Sequence, residues 1–209
     1  MTAAQVPLSP RAARTRGALL AAGFELLAER PIDAIAIDDI VARAGVAKGS
    51  FFNHFTDKAG FAAELGAAVR GELELLVGAA NAGVADPVER LAGGMCVALD
   101  FALTQRKRCI VMLRGLELST GLNHRLNQGI RADIEAIVAA GLARPEAASS
   151  GVRFWLGLCQ IMQLNAIERE LSRRDAAQRL REMLVLGLTG LGVPESRALD
   201  VAQRVSGAF

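Results

Sequence analysis

The sequence predicts an all-α protein in which a small N-terminal helix-turn-helix domain precedes a larger C-terminal helical domain. Apolar residues recur at helical spacing in nearly every segment, and the alternating pattern of β-strands is absent. Proline, glycine or aspartate separates one segment from the next. A chain of 209 residues is long enough for one small and one larger domain. We place the boundary at residue 60, which gives domains 1–60 and 61–209.

The N-terminal domain is predicted to contain a long helix and two short ones, and a fourth helix leads out of it. The first helix covers about 11–30, where apolar residues recur on one face, and a proline ends it. Asp38 and Asp39 open the second, over about 37–44, where the positive end of a helix favours carboxylates. Gly45 ends it. The remaining two cover about 48–54 and, capped by an aspartate, about 57–80.

The C-terminal domain is predicted to consist of six further helices. Prolines or an aspartate–proline pair stand at several of their starts, where the missing proline N–H costs least. The predicted helices cover about 86–104, 106–117, 122–141, 145–171, 174–191 and 194–206.

Composition excludes some classes of protein and leaves others open. The net charge of +2 is too small to require a nucleic-acid partner. No stretch approaches the roughly 18 uncharged apolar residues of a membrane-spanning helix, and residues 1–16 lack the apolar core of a signal peptide. We therefore expect a soluble, cytoplasmic protein with no membrane partner.

Three widely spaced cysteines give neither metal-ligand spacing nor a disulfide framework. Cys96, Cys109 and Cys159 have apolar neighbours, which indicates buried and unreactive thiols, although a redox sensor stays open. The chain has only two histidines and no phosphate-binding loop or nucleophile elbow. We therefore expect no metal, no cofactor and no catalytic residues.

Residues 44–55 read AGVAKGSFFNHF and concentrate three of the nine aromatic residues in five positions. A short helix, a turn at Gly45 and a second short helix make a helix-turn-helix. Phe51 and Phe55 lie four residues apart, so both can face inward. Phe52, which lies between them, is left near the exposed side with Asn53 and His54. Lys48, Gly49 and Ser50 begin the second helix, whose free N–H groups attract phosphate.

This region resembles the TetR family of bacterial transcriptional regulators from Thr15 to about Leu65. The matches are Asp39-Ile40, Ala44-Gly45-Val46, Lys48-Gly49, His54-Phe55 and Lys58. Ala36 and Ala47 replace the usual capping Thr and Ser, and Phe52 replaces the usual Tyr. The departures affect DNA affinity more than fold, and the arginines of a basic N-terminal arm can compensate. The resemblance implies DNA contacts by Lys48, Gly49, Ser50, Phe52, Asn53, His54, Lys58 and Arg16.

The resemblance also implies a regulator that binds a palindromic double-stranded DNA operator as a homodimer, represses transcription, and is released by a small-molecule effector. The roles of two residues in the second helix of the helix-turn-helix stay open. Asn53 reads a base edge or is simply solvated, and His54 contacts the phosphate backbone or is a partly buried structural histidine. For the whole chain, a helical interaction protein without a DNA role and a helical enzyme with an apolar pocket are the alternatives.

The segment 151–167 is apolar on two faces, which requires cover on two sides. One stripe contains Trp155, Cys159 and Met162, and the other contains Phe154, Leu158 and Ile161. We expect one face to pack within its own domain and the other to pack against a second subunit, together with the segment 174–191. A negative charge at Leu158 or Leu184 should then produce monomers.

An effector pocket is predicted from apolar and sulfur-containing side chains, which adapt to irregular ligands. For any single one of them, ordinary core packing is the simpler interpretation. Arg114, Glu117, His124 and Gln163 are polar groups that could orient a ligand, and surface exposure is expected for at least half of them. The predicted pocket residues are Met95, Leu99, Met112, Leu116, Trp155, Cys159 and Met162.

Overall fold

The computed structural model describes residues 9–115, 125–207 and 209, and all regular secondary structure in them is helical. This confirms the all-α prediction. Two short 3-10 turns, Ile32–Ala34 and Arg125–Asn127, accompany ten α-helices in that part of the chain. The helices are α1 Pro10–Glu29, α2 Ile37–Ala44, α3 Gly49–Phe52, α4 Lys58–Ala80, α5 Pro87–Thr104, α6 Arg106–Arg114, α7 Gln128–Ala139, α8 Ala147–Arg169, α9 Arg173–Leu191 and α10 Glu195–Gly207.

The helix boundaries follow the sequence pattern closely where a strong start or stop signal exists. Ser9 caps α1 ahead of Pro10, and the Asp86 carboxylate accepts a hydrogen bond from Val88 N–H at the start of α5. The predicted 48–54 helix is shorter, at Gly49–Phe52. Within the predicted 122–141 helix, Arg125–Asn127 form a 3-10 turn and Gln128–Ala139 form an α-helix.

The chain divides into two compact units. The first contains the described residues up to 68 together with 110–115, and the second contains the rest. No local sequence pattern indicates that residues 110–115 belong with the N-terminal helices. The predicted boundary at residue 60 stays a prediction.

The first unit has a small core built from α1, α2, α3 and the first turns of α4. Leu19 and Leu27 of α1 are buried with Ile40 of α2. Phe51 and Phe61 are the largest fully buried side chains of this unit. Burial of these faces holds short helices that would not be stable alone, because isolated helices this short are marginal in water.

The second unit is arranged around α5, which packs against α7, α8, α9 and α10. Its core is mostly aliphatic and also buries Phe101 of α5 and Trp155 of α8. An ion pair between Arg90 and the largely buried Asp133, with 2.6 Å between Nη2 and Oδ1, joins α5 to α7. In the described part of the chain, no helix is both long and apolar enough to cross a membrane.

Candidate nucleic-acid interface

The turn between α2 and α3 depends on Gly45, which adopts a left-handed conformation with φ of 66°. Such backbone is far less strained for glycine than for other residues. The N–H of Val46 bonds to the carbonyl of Val41 at 3.0 Å, which closes the end of α2. Ser50 N–H then bonds to Ala47 O at 2.9 Å and begins the next helical turn. The sequence therefore folds locally into the predicted helix-turn-helix.

The recognition segment is anchored by an aromatic cluster of Phe51, Phe55 and Phe61. The ring centroids of Phe51 lie 5.4 Å from Phe55 and 5.3 Å from Phe61, and those of Phe55 and Phe61 are 4.7 Å apart. These separations are typical of favourable tilted and edge-to-face pairs. Gly23 of α1 lies against this cluster, since a Cβ there would be 2.2 Å from the Phe61 ring. Phe51 and Phe55 therefore face inward as predicted.

The opposite side of the segment presents polar groups and one aromatic ring to solvent. Phe52 is 56% exposed, Lys48, Gly49 and Asn53 are exposed, and Ser50 and His54 are half-buried. An exposed phenylalanine beside an asparagine and a lysine offers apolar, hydrogen-bonding and charged contacts on one face. This surface, residues 48–50 and 52–54, is called the recognition face below.

Lys48 is not free on this surface but forms an ion pair with Asp38 of α2, with 2.9 Å between Nζ and Oδ1. Both side chains are largely exposed, and exposed pairs of this kind contribute little to stability. The lysine can therefore exchange its carboxylate partner for a phosphate at small cost.

Lys58 occupies a different environment from Lys48. Its ammonium group donates to the carbonyl oxygens of Ile32 at 3.2 Å and Ile35 at 2.8 Å. Two of the three donors of a lysine ammonium are thus used to hold the loop before α2. Sequence reasoning missed this contact, because the partners lie more than 20 residues away. A phosphate contact by Lys58 stays a prediction, limited to the remaining donor.

Arg16 is likewise engaged within the first unit. Its guanidinium forms an ion pair with Glu64 of α4 and lies over the Phe55 ring at 5.4 Å from the centroid. The ring position is within the range of a cation–π contact. Arg16 thereby ties α1 to the start of α4, and its predicted DNA contact remains an untested prediction.

The missing cap at Ala36 is partly replaced by a neighbouring carboxylate. Asp39 accepts a hydrogen bond from the N–H of Ala36 at 3.4 Å and pairs with Arg30 at 2.7 Å. Asp39 therefore contributes one half of a capping box, whose other half needs the hydroxyl that alanine lacks. The sequence signal for this role was an acidic residue at the third position of the helix.

Those predicted effector residues that the structure describes are core residues. In the second unit, Met95, Leu99, Trp155, Cys159 and Met162 are all buried. Met112 is buried in the first unit, and Leu116 lies outside the described residues. A cleft on the second unit is lined by none of the predicted residues. Their assembly into an effector pocket stays a prediction.

The four polar groups suggested as ligand contacts separate into different roles. Gln163 is buried and its side-chain N–H donates to the carbonyl of Ala98 at 3.0 Å. Arg114 donates a hydrogen bond to the carbonyl of Leu27 in the last turn of α1 at 2.7 Å. This bond satisfies a backbone carbonyl at the C-terminal end of that helix, where carbonyls lack partners within the helix. Glu117 and His124 fall outside the described residues.

All three thiols are poor nucleophiles at neutral pH. Burial raises the pKa of Cys96 to about 11 and those of Cys109 and Cys159 to about 12. Reactive cysteines have lowered pKa values because the thiolate is the attacking species. Among residues 9–115, 125–207 and 209, no cluster of three or more His, Cys, Asp or Glu side chains could hold a metal ion.

Comparison with known proteins places the helix-turn-helix in a family. Residues 19–65 match the family model described as bacterial regulatory proteins, tetR family. The transcriptional regulator AcuR of Cereibacter sphaeroides is 39% identical over 69 residues, which cover 29% of this chain and 32% of AcuR. The match thus spans about a third of the length of this curated relative.

Solved structures share the fold across most of the chain. A tetR family transcription regulator from Shewanella sp. PV-4 has a TM-score of 0.72 at 16% identity, covering 85% of this chain and 97% of its own. RolR in complex with resorcinol has a TM-score of 0.65 at 19% identity, and the match covers 93% of this chain and 95% of the RolR chain. A gamma-butyrolactone receptor has a TM-score of 0.57 at 20% identity, and the match covers 95% of this chain and 98% of the receptor chain.

The region of the family match, residues 19–65, contains the turn at Gly45, the aromatic cluster around Phe51, and the recognition face. The N-terminal part of the chain therefore contains the helix-turn-helix domain of the tetR family of bacterial regulatory proteins.

Proposed function

We propose that this protein is a DNA-binding transcriptional repressor that binds a near-palindromic operator as a homodimer and is released by a small, mainly hydrophobic effector. The observation that carries the proposal is the recognition face, which stands on a helix-turn-helix inside the segment matched by the family. The aromatic cluster beneath it fixes the backbone. A rigid support is what a base-reading surface requires.

The recognition face contains the contact types that a major groove can distinguish. Asn53 carries an amide that can bond to an adenine edge, and the exposed ring of Phe52 can contact a thymine methyl group. Lys48 supplies a positive charge for phosphate or guanine once it leaves Asp38. The half-buried His54 lies beside the Phe55 ring, with 6.3 Å between centroids, and we assign it a phosphate contact.

A homodimer is supported by an apolar surface on α8 and α9. Ile161 is 62% exposed and Leu186 is 65% exposed, and Phe154 and Leu164 are also exposed. The other stripe of α8 is buried in its own unit, so only this stripe needs external cover. Apolar surface of this kind indicates an interaction site. A symmetric dimer presents two recognition faces to half-sites about 34–36 Å apart.

The proposed effector is argued from the interior of the second unit. Its core is apolar and includes the two methionines Met95 and Met162, with Gln163 as a polar group among them. Such a lining fits a hydrophobic molecule with one or two polar atoms. The fold is shared with RolR, which was solved with resorcinol, and with gamma-butyrolactone receptors. The effector releases the operator only by its differential affinity for the two states of the regulator.

Selection of bound duplexes from a random DNA pool tests the DNA-binding function. We expect enrichment of a two-fold symmetric sequence, with fluorescence anisotropy reporting affinity for the selected duplex. Asn53→Ala should relax the preference at one base position by about 1–3 kcal/mol. Lys107→Ala, a charge removed from α6 in the second unit, is the control and should leave the preference unchanged. Failure to enrich any sequence would contradict the proposal.

The effector site is tested separately by filling the predicted pocket. Cys159→Trp adds a large side chain at a buried position of α8. We expect an effector found by screening to release the wild type but not this variant, which should still bind the selected duplex. Release of both proteins at the same effector concentration would show that the pocket lies elsewhere, while the regulator proposal stood.

A further inference from the structure

A cleft of about 480 Å³ opens on the second unit beside α5. Its lining combines the apolar side chains of Leu76, Val97 and Phe101 with the charged groups of Asp100 and Arg173. The remaining lining residues are Cys96, Thr104, Gln105 and Phe209. None of these residues belongs to the predicted effector pocket. A mixed apolar and charged lining of this size is typical of a small-molecule site.

Arg173 at the start of α9 organises the charged side of the cleft. One terminal N–H of its guanidinium donates to the Asp100 carboxylate at 2.8 Å. The other donates to the backbone carbonyl of Phe209 at 3.3 Å. The guanidinium carbon also lies 5.4 Å from the centroid of the Phe209 ring. Phe209 therefore offers both a ring face and an acceptor oxygen to the same guanidinium.

This pairing shows what kind of molecule the cleft accepts. A planar guanidinium stacks on an aromatic face and donates in its own plane to an oxygen acceptor. In phenylalanine, two carbon atoms separate the ring from the carbonyl carbon. The same spacing occurs in 3-phenylpropionate, whose carboxylate can accept hydrogen bonds from the same guanidinium. Phe209 thus contacts Arg173 in the way that an aromatic acid of this length would.

We propose that the cleft is a second small-molecule site, which binds an aromatic carboxylate on Arg173 in place of Phe209. Asp100 holds the guanidinium in position while its remaining donors face the ligand. The apolar wall of Leu76, Val97 and Phe101 covers the ring. The contacts of Phe209 are exchangeable, because Arg173 is more than half exposed and the carbonyl contact is long.

The experiment measures binding of 3-phenylpropionate by calorimetry to the wild type and three variants. Phe209→Ala removes the ring that competes for the guanidinium but keeps the backbone oxygen, so the affinity of this variant should rise several-fold. Arg173→Leu removes the guanidinium and should weaken binding by about tenfold or more, since both the stacking and the charged hydrogen bonds are lost. Arg174→Leu removes the neighbouring exposed arginine as a matched control and should leave affinity unchanged.

A second ligand and a chemical probe locate the bound molecule. 3-Cyclohexylpropionate has the same length and charge without an aromatic face, so it should bind more weakly than 3-phenylpropionate. Cys96 lines the cleft, whereas Cys109 and Cys159 are buried and serve as internal references. At alkaline pH, where more of the Cys96 thiol is ionised, saturating 3-phenylpropionate should slow maleimide labelling of Cys96 in Phe209→Ala, as read by mass spectrometry of the separated peptides.

The proposal requires that the ligand binds inside the cleft and contacts Arg173. Equal affinity of Arg173→Leu and Arg174→Leu would overturn it, as would binding that leaves the labelling rate of Cys96 unchanged. Absence of binding to Phe209→Ala at millimolar ligand would also overturn it. None of these results depends on DNA binding, so the regulator proposal is tested independently.

Discussion

The two units of this protein are built from different side chains, and the difference explains why only one of them has a recognisable sequence. The first is small and is held by the aromatic cluster of Phe51, Phe55 and Phe61 beneath a surface that also carries function. The second is larger and its buried side chains are mostly aliphatic, with Trp155 and Phe101 among them. Many aliphatic combinations fill a core of given volume, whereas an aromatic cluster next to a functional turn fixes residue types. Residues 19–65 therefore match a family model, and the rest is similar to known proteins in fold.

The largest expected effect separates the inside from the outside of the second unit. Leu184 is fully buried, whereas Leu186, two residues along α9, is 65% exposed on the proposed dimer surface. Leu184→Asp should cost more than about 4 kcal/mol of unfolding free energy, because it buries an unpaired charge. Leu186→Asp should leave stability nearly unchanged and produce a monomer. Urea unfolding and light scattering measure the two outcomes.

This pair also corrects the expectation that a charge at Leu184 would simply produce monomers. Leu184 faces its own core, so the variant is expected to unfold rather than dissociate. A folded wild-type monomer at micromolar concentration, or a dimeric Leu186→Asp protein, would contradict the proposed dimer surface.

The second prediction makes the same inside–outside comparison in the first unit, with adjacent phenylalanines. Phe51→Ala removes the centre of the aromatic cluster and should cost about 3–5 kcal/mol. Phe52→Ala removes a ring that is 56% exposed and should change stability by less than about 0.5 kcal/mol. Only Phe52→Ala should weaken binding to the selected duplex while the protein stays folded. Circular dichroism during urea unfolding and anisotropy measure the two effects, and equal destabilisation by both variants would refute the assignment.

The sequence was sufficient wherever a feature depends on neighbours within one helical turn. The bounds of α2, the turn at Gly45, and the inward and outward sides of residues 51–55 follow from spacing and backbone conformation. The two stripes of α8 followed in the same way, since one is buried and members of the other are exposed. In each of these cases, the spacing of residues along the helix itself determines which side chains are buried.

The sequence was insufficient for contacts between distant segments. The partners of Lys58 and Arg16, and the assignment of residues 110–115 to the first unit, depend on tertiary packing that no local pattern records. The use of Arg173 was missed for the same reason, because its partners Asp100 and Phe209 lie 73 and 36 residues away. The presence of a lysine or arginine in a motif therefore predicts a positive charge at that position, but it does not predict which residue the side chain contacts.

The third prediction separates a structural lysine from a DNA-contacting one. Lys58→Met removes two charge-assisted hydrogen bonds to the loop carbonyls and should destabilise the protein by about 1–3 kcal/mol. Lys48→Ala removes only an exposed ion pair and should leave stability nearly unchanged. It should instead reduce the salt dependence of DNA binding by about one unit of log–log slope.

Measured slopes for both variants decide how the two lysines share these roles. A reduced slope for Lys58→Met as well would show that its remaining donor reaches a phosphate, as the family resemblance implied. An unchanged slope for Lys48→Ala would remove the phosphate contact from the proposal and leave Lys48 as a partner of Asp38.

The smallest expected effect concerns Asp133, a carboxyl that is largely buried in the second unit. Burial raises the pKa of this carboxyl above its usual 3.8, and the hydrogen bond and charge of Arg90 lower it by less. The folded state therefore holds the proton to higher pH than the unfolded state does. The contribution of Asp133 to stability falls as pH rises from 3.8 through the raised pKa, and is constant outside that window.

Asp133→Asn removes this pH dependence, so the unfolding free energy of the wild type minus that of the variant should decline across the window. Glu135→Gln, an exposed carboxylate on α7, is the matched control. A difference that rises with pH would show that the attraction of Arg90 outweighs burial, and that this ion pair stabilises the second unit as an ordinary salt bridge.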